Sequence, residues 1–124
     1  MSNNEVIFNE EQLQEKLKQW QERLRLQDWI VKVKIVRQRE MQADRQGEVE
    51  FNVHNKVAMI KIIDPIDYDD WDKQDMEDTL VHELLHLHLS GISLHFGKNN
   101  DVYEMLEEQA IESIAHGLIK AERK

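Results

Sequence analysis

The chain reads as one α+β domain with helices laid over a small sheet. Three observations predict this. An opening segment repeats its apolar residues at helical spacing, three short runs then alternate with a period of two, and the remainder returns to helical spacing. At 124 residues the chain suits a single core, and its one proline marks no linker at which to divide it. Residues 1–124 are therefore taken as one domain, with 1–7 expected to be flexible.

The first helix is announced by Asn9 as N-cap, Gln12 as its capping-box partner, and Phe8 with Leu13 as a hydrophobic staple. Leu13, Leu17, Trp20 and Leu24 form its apolar stripe, and it is expected to end near Gln27. Trp29, Val31, Val33 and Ile35 then alternate with Ile30, Lys32, Lys34 and Val36, giving a strand with one wetter face. After a polar loop and Gly47, Val49, Phe51 and Val53 alternate with Glu48, Glu50 and Asn52, and His54-Asn55-Lys56 reads as a turn. Val57 to Ile63 is apolar at nearly every position, which predicts the best-buried strand or one beside a ligand groove. The three strands are expected to pair mostly antiparallel.

Asp64-Pro65 stops the third strand. A second helix is expected from about Asp70 to Ser90, ended by Gly91, with Asp70, Asp72, Asp75, Glu77 and Asp78 at the positive end of its dipole. A loop through His95, Gly97 and Asn100 leads to a last helix, opened by Asp101 and Glu104 as a capping box and running to about Ala121.

Composition narrows the function. With 40% apolar and 33% charged residues the chain has a globular profile, and no run of eighteen apolar residues predicts a membrane span. The amino terminus lacks the basic and apolar regions of a signal peptide, so a cytoplasmic location is expected. Cysteine is absent, which removes disulfides, thiolate ligands and cysteine catalysis together. Any metal must be held by His and carboxylates. The net charge of -9 argues against nucleic acid as a partner. Nine Lys or Arg lie from Lys16 to Arg45, a stretch that reads as a solvated face.

The chemistry concentrates in His82-Glu83-Leu84-Leu85-His86. Residues four apart stack on one helix face, so His82 and His86 can share an ion, with Glu83 beside them to reach its water as a general base. Catalytic zinc takes a third protein ligand and leaves a position to water. The last helix offers Glu104, Glu107, Glu108, Glu112 and His116. An antiparallel return favours Glu108 as ligand, with Glu112 one turn on to orient a ligand histidine. Glu107 is the alternative ligand, since it lies nearest the apolar arc of Leu106, Ala110, Ile111, Ile114 and Leu118. One Zn²⁺ per chain follows.

Tyr103, His95 and Tyr68 are candidate oxyanion donors. His88, His54 and His116 read as surface or structural residues, and Trp20, Trp29 and Trp71 as core or core edge. The run from Asp64 to Asp72 departs from a calcium loop, with Trp71 at a ligand position and Asp72 where the turn glycine belongs.

Val81 to Leu87, preceded by three strands and followed by Glu107-Glu108-Gln109-Ala110-Ile111-Glu112-Ser113-Ile114-Ala115, resembles the minimal gluzincin-type zinc metallopeptidases. The phage-associated, ImmA-like and SprT-like small zincins are the most similar groups. In ImmA-like proteins the third ligand opens a Glu pattern that ends in Asn. Glu108, Ile111, Glu112, Ile114 and Ala115 match it with Glu in place of Asn. SprT-like proteins use a later His, and their ligand set fits less well. The resemblance implies a zincin-like fold and hydrolysis of a peptide or protein substrate. It also implies that Val57 to Ile63 is the cleft edge on which substrate pairs. The alternative is a catalytically silent module that keeps the architecture, and even the metal, but acts by docking to a partner.

Overall fold

The computed structural model describes residues 5–42 and 45–124. Helix α1 (Glu10–Arg23) begins at the expected capping box, with Asn9 and Gln12 exchanging side-chain bonds to each other's backbone N–H. Its stripe of Leu13, Leu17 and Trp20 is buried. The helix ends sooner than expected, because Arg25 adopts a left-handed conformation (φ 60°) that turns Leu26 back into the core.

Strands β1 (Ile30–Val36), β2 (Gly47–Asn52) and β3 (Val57–Ile63) form one sheet in the order β1-β3-β2. The sheet is mixed rather than mostly antiparallel: β1 runs parallel to β3, and β2 antiparallel. The most apolar strand takes the centre, and the strands bearing Lys32, Lys34 and Glu50 take the edges, where charges discourage further pairing. The expectation that Val57 to Ile63 offers a free edge is therefore overturned, because both its neighbours are occupied.

Register sorts the two faces. Val31, Ala58 and Phe51 form one row, Val33, Ile60 and Val49 the next, and Ile35, Ile62 and Gly47 the third, all toward the helices. The opposite face carries Lys61 paired with Glu50 at 3.2 Å and with the buried Glu48 at 3.9 Å. Phe51 meets Trp29 edge-on at 6.4 Å.

Helix α2 (Met76–His88) starts six residues later than Asp70, the expected start. Asp75 is its N-cap, accepting from Asp78 N at 3.0 Å, and a 3₁₀ turn at Pro65–Asp67 occupies part of the approach. Of the segment expected to be flexible, residues 1–4 lie outside the described residues. Val6 is tied down, exchanging backbone hydrogen bonds with Gln74 and Met76 at 2.9 Å.

Gly91 does not end the helical path. A single turn α3 (Ser90–Ile92) and a π-turn (Ser93–Gly97) continue it, and the chain reverses at Asn99 (φ 58°) instead. Helix α4 (Asp101–Glu122) is capped by Asn100, one residue before the expected Asp101, through a bond from Tyr103 N.

Helices α1, α2 and α4 are joined by Glu77. Its carboxylate accepts from Trp20 Nε1 at 2.7 Å and from Arg123 at 3.2 Å, with Lys16 at 3.6 Å. Arg123 also clasps Asp75 through two bonds of 2.7 and 3.0 Å. Trp20 and Trp29 are core residues as expected, whereas Trp71 stands 95% exposed.

Candidate metal centre

On α2 the four-residue spacing brings the rings of His82 and His86 to 5.2 Å between centroids. Helix α4 returns antiparallel and sets Glu108 across both. One carboxylate oxygen lies 3.1 Å from His82 Nε2 and the other 2.8 Å from His86 Nε2. Donor atoms of these three residues lie within 4.8 Å of one another. Two imidazoles and a carboxylate, with no thiolate, form a donor set that fits a divalent first-row ion such as zinc.

Glu107 stands apart from that set. Its Oε2 lies 2.7 Å from His86 Nδ1, the ring nitrogen turned away from Glu108. This contact orients His86, the task that the sequence reading expected of Glu112. Glu112 lies instead toward His116, with its Oε1 at 3.6 Å from Nε2. The choice of partner follows from helix phase: residues 107 and 111 face α2 and the core, while residue 112 turns to the cavity and solvent.

The charges are coupled. Burial opposes protonation of His86, but bonds to Glu108 and Glu107 outweigh it and hold the imidazole at about 9. Burial likewise opposes protonation of His82, and Glu108 with Glu83 outweighs it, so that pKa is also raised. The two histidines hold Glu108 well below the usual carboxylate range. Glu83 is buried, and burial pushes its pKa up, against the opposing charges of His82 and His86.

These residues line a cavity of about 800 Å³, walled by β2 on one side and α4 on the other. Gly47 is what lets β2 come this close. A Cβ there would lie 2.5 Å from Thr79 Cγ2 and 3.3 Å from Glu83 Oε2. Tyr103 lines the cavity, and burial together with the neighbouring Glu107 carboxylate raises its phenol to about 12, so the hydroxyl keeps its proton. Gly97 packs beneath that ring, where a Cβ would lie 2.7 Å from Tyr103 Cδ2.

Comparison of the chain with protein-family models, with curated proteins and with solved structures returned no match. The site is therefore read from its own geometry.

The other expected donors fall outside the cavity. His95 sits exposed on the π-turn, and Tyr68 donates to Asp72 at 2.9 Å on a different surface. His88 is exposed and reaches Leu24 O at 2.8 Å, and His54 is exposed in its turn. His116, read from sequence as structural, lines the cavity and pairs with Asp78 at 2.6 Å. Its two-turn spacing from Glu108 is visible in the sequence, but its partner Asp78 lies on α2, which spacing along one helix does not reveal. Gly47 also carried a signal, since an isolated glycine in a strand pattern marks close backbone approach. Arg45 on the cavity rim carried none.

Proposed function

We propose that the protein is a zinc-dependent metallopeptidase of the minimal gluzincin type, with His82, His86 and Glu108 as metal ligands and Glu83 as general base. The observation that carries this reading is the convergence of two imidazole Nε2 atoms and one carboxylate on a cavity that also contains a buried glutamate. A purely structural metal site has no need of Glu83 beside it, and four protein ligands would close it.

Zinc at such a site supplies a Lewis acid for the scissile carbonyl and an acidified water as nucleophile. Glu83, buried beside the two histidines with its pKa raised by burial, would hold and pass on a proton as general base. Glu107 fixes the ring of His86 through Nδ1, so that Nε2 is free to bind metal. Tyr103, which lines the cavity beside Glu107 and keeps its proton, would be the donor that shares oxyanion charge. Substrate lies extended along β2, which among the described residues pairs with β3 alone and whose Gly47, Val49 and Phe51 line the cavity.

Glu83→Gln tests the reading. The variant should keep its zinc and lose hydrolysis of a peptide library by about 10²- to 10⁴-fold, the usual weight of a general base. Full activity in Glu83→Gln would remove that residue from its role.

A further inference from the structure

We propose that the cavity selects extended peptides carrying basic side chains on both sides of the scissile bond and rejects acidic ones; this rests on the peptidase reading above. Asp78, Glu83, Glu104, Glu107, Glu108 and Glu112 line the cavity, and Arg45 is the one Lys or Arg among the lining residues. A divalent ion and Arg45 together offset half of those six carboxylates, and His116 lies against Asp78 at 2.6 Å, which still leaves carboxylates in excess. The surplus lies on α4, in a chain already at net -9. Walls of one sign concentrate ligands of the other.

The spacing of the surplus matches a strand. Glu104, Glu108 and Glu112 occupy successive turns of α4, about 6 Å apart along its axis. Side chains on one face of an extended peptide recur every second residue, roughly 6.6 Å apart. With Glu108 engaged by the histidines, Glu104 and the exposed Glu112, which only His116 approaches at 3.6 Å, would each meet a substrate side chain about two residues from the bond, on opposite sides of it. The β2 wall opposite offers Val49 and Phe51 rather than counter-charges.

A second feature points to a ligand with donors. Glu107 also lines the cavity with its side chain 8% exposed; its carboxylate has His86 Nδ1 on Oε2 and the Tyr103 hydroxyl beside it, while Oε1 is buried and accepts no well-formed hydrogen bond among the described residues. A buried acceptor in that state calls for a donor, which an ammonium, guanidinium or amide N–H supplies.

The test measures binding and cleavage separately. Zinc-loaded Glu83→Gln protein is titrated against short fluorescein-labelled peptides that differ only in Lys or Glu at alternate positions, read by anisotropy at two salt concentrations. The Lys peptide should bind more tightly, and added salt should weaken it. Combining Glu104→Gln with Glu112→Gln should reduce the preference by about two- to fivefold for each carboxylate removed, the scale of exposed ion pairs. Equal binding of the two peptides, or an undiminished preference in the doubly substituted protein, overturns the proposal.

In parallel, the parent protein digests a mixed peptide library, and sites are read by mass spectrometry. Sites flanked by Lys or Arg support the inference, and cleavage without charge bias overturns it while leaving the peptidase reading standing. Charge-selective binding with no cleavage does the reverse.

Discussion

Helices α2 and α4 meet over two polar clusters, and the contrast between them is instructive. At one end Asp75 and Glu77 face Arg123, Trp20 Nε1 and Lys16, so the carboxylates are met by donors and the two cations are at hand. At the other end His82, His86, Glu83, Glu107 and Glu108 crowd together with carboxylates in excess and one buried oxygen unpartnered. The first cluster is compensated and fastens three helices. The second is not compensated by the protein alone, which is the condition a cation relieves. Compensation, rather than polarity or burial, separates the fastening cluster from the candidate metal centre.

The sharpest way to break that contrast is to delete one carboxylate from each cluster. Glu77→Ala should destabilise the protein by up to about 3 kcal/mol in urea titration, because it leaves the buried Trp20 indole N–H without its acceptor and Arg123 with Asp75 alone. Glu108→Ala should cost the metal-free protein no more than about 1 kcal/mol, since its side chain is 56% exposed. Similar losses in the two variants would erase the distinction.

Gly47→Ala addresses the wall between cluster and sheet. Overlap with Thr79 and crowding of Glu83 should lower stability by about 1–3 kcal/mol and reduce hydrolysis more than zinc content. A variant as stable and active as the parent would mean that β2 yields freely.

The smallest effect expected is on pH dependence. His86 is raised from its ordinary value to about 9 in the metal-free protein. Its stabilising contribution is fully present below about 6.5 and lost as pH rises through about 9. Metal must displace that proton, so the increase in Tm on adding zinc should grow from pH 6 to pH 8. An increase that stays flat over this interval would show that no proton is displaced.

The sequence made the local elements legible because their signals are local. Asn9 with Gln12 specified the start of α1, and the run Val57 to Ile63 specified β3 to the residue. Strand order was not legible, since alternation fixes which face a residue takes but not which neighbour it pairs with. The edge facing the cleft was consequently assigned to β3 when it belongs to β2. Within the site, His82 and His86 followed from helical spacing alone. The division of labour among Glu107, Glu108 and Glu112 depends on the rotation of α4 about its axis, which follows the left-handed turn at Asn99 and the cap at Asn100 and is not written in the helical spacing. His116 was passed over because its partner Asp78 is 38 residues away.

Metal content decides the central claim most directly. Purified parent protein, reconstituted with zinc and dialysed, should hold one ion per chain by elemental analysis. His82→Ala and Glu108→Ala should lose it, while Glu77→Gln and Glu112→Ala should retain it. A parent that binds no zinc, or a Glu108→Ala protein that binds it as tightly as the parent, would contradict the account.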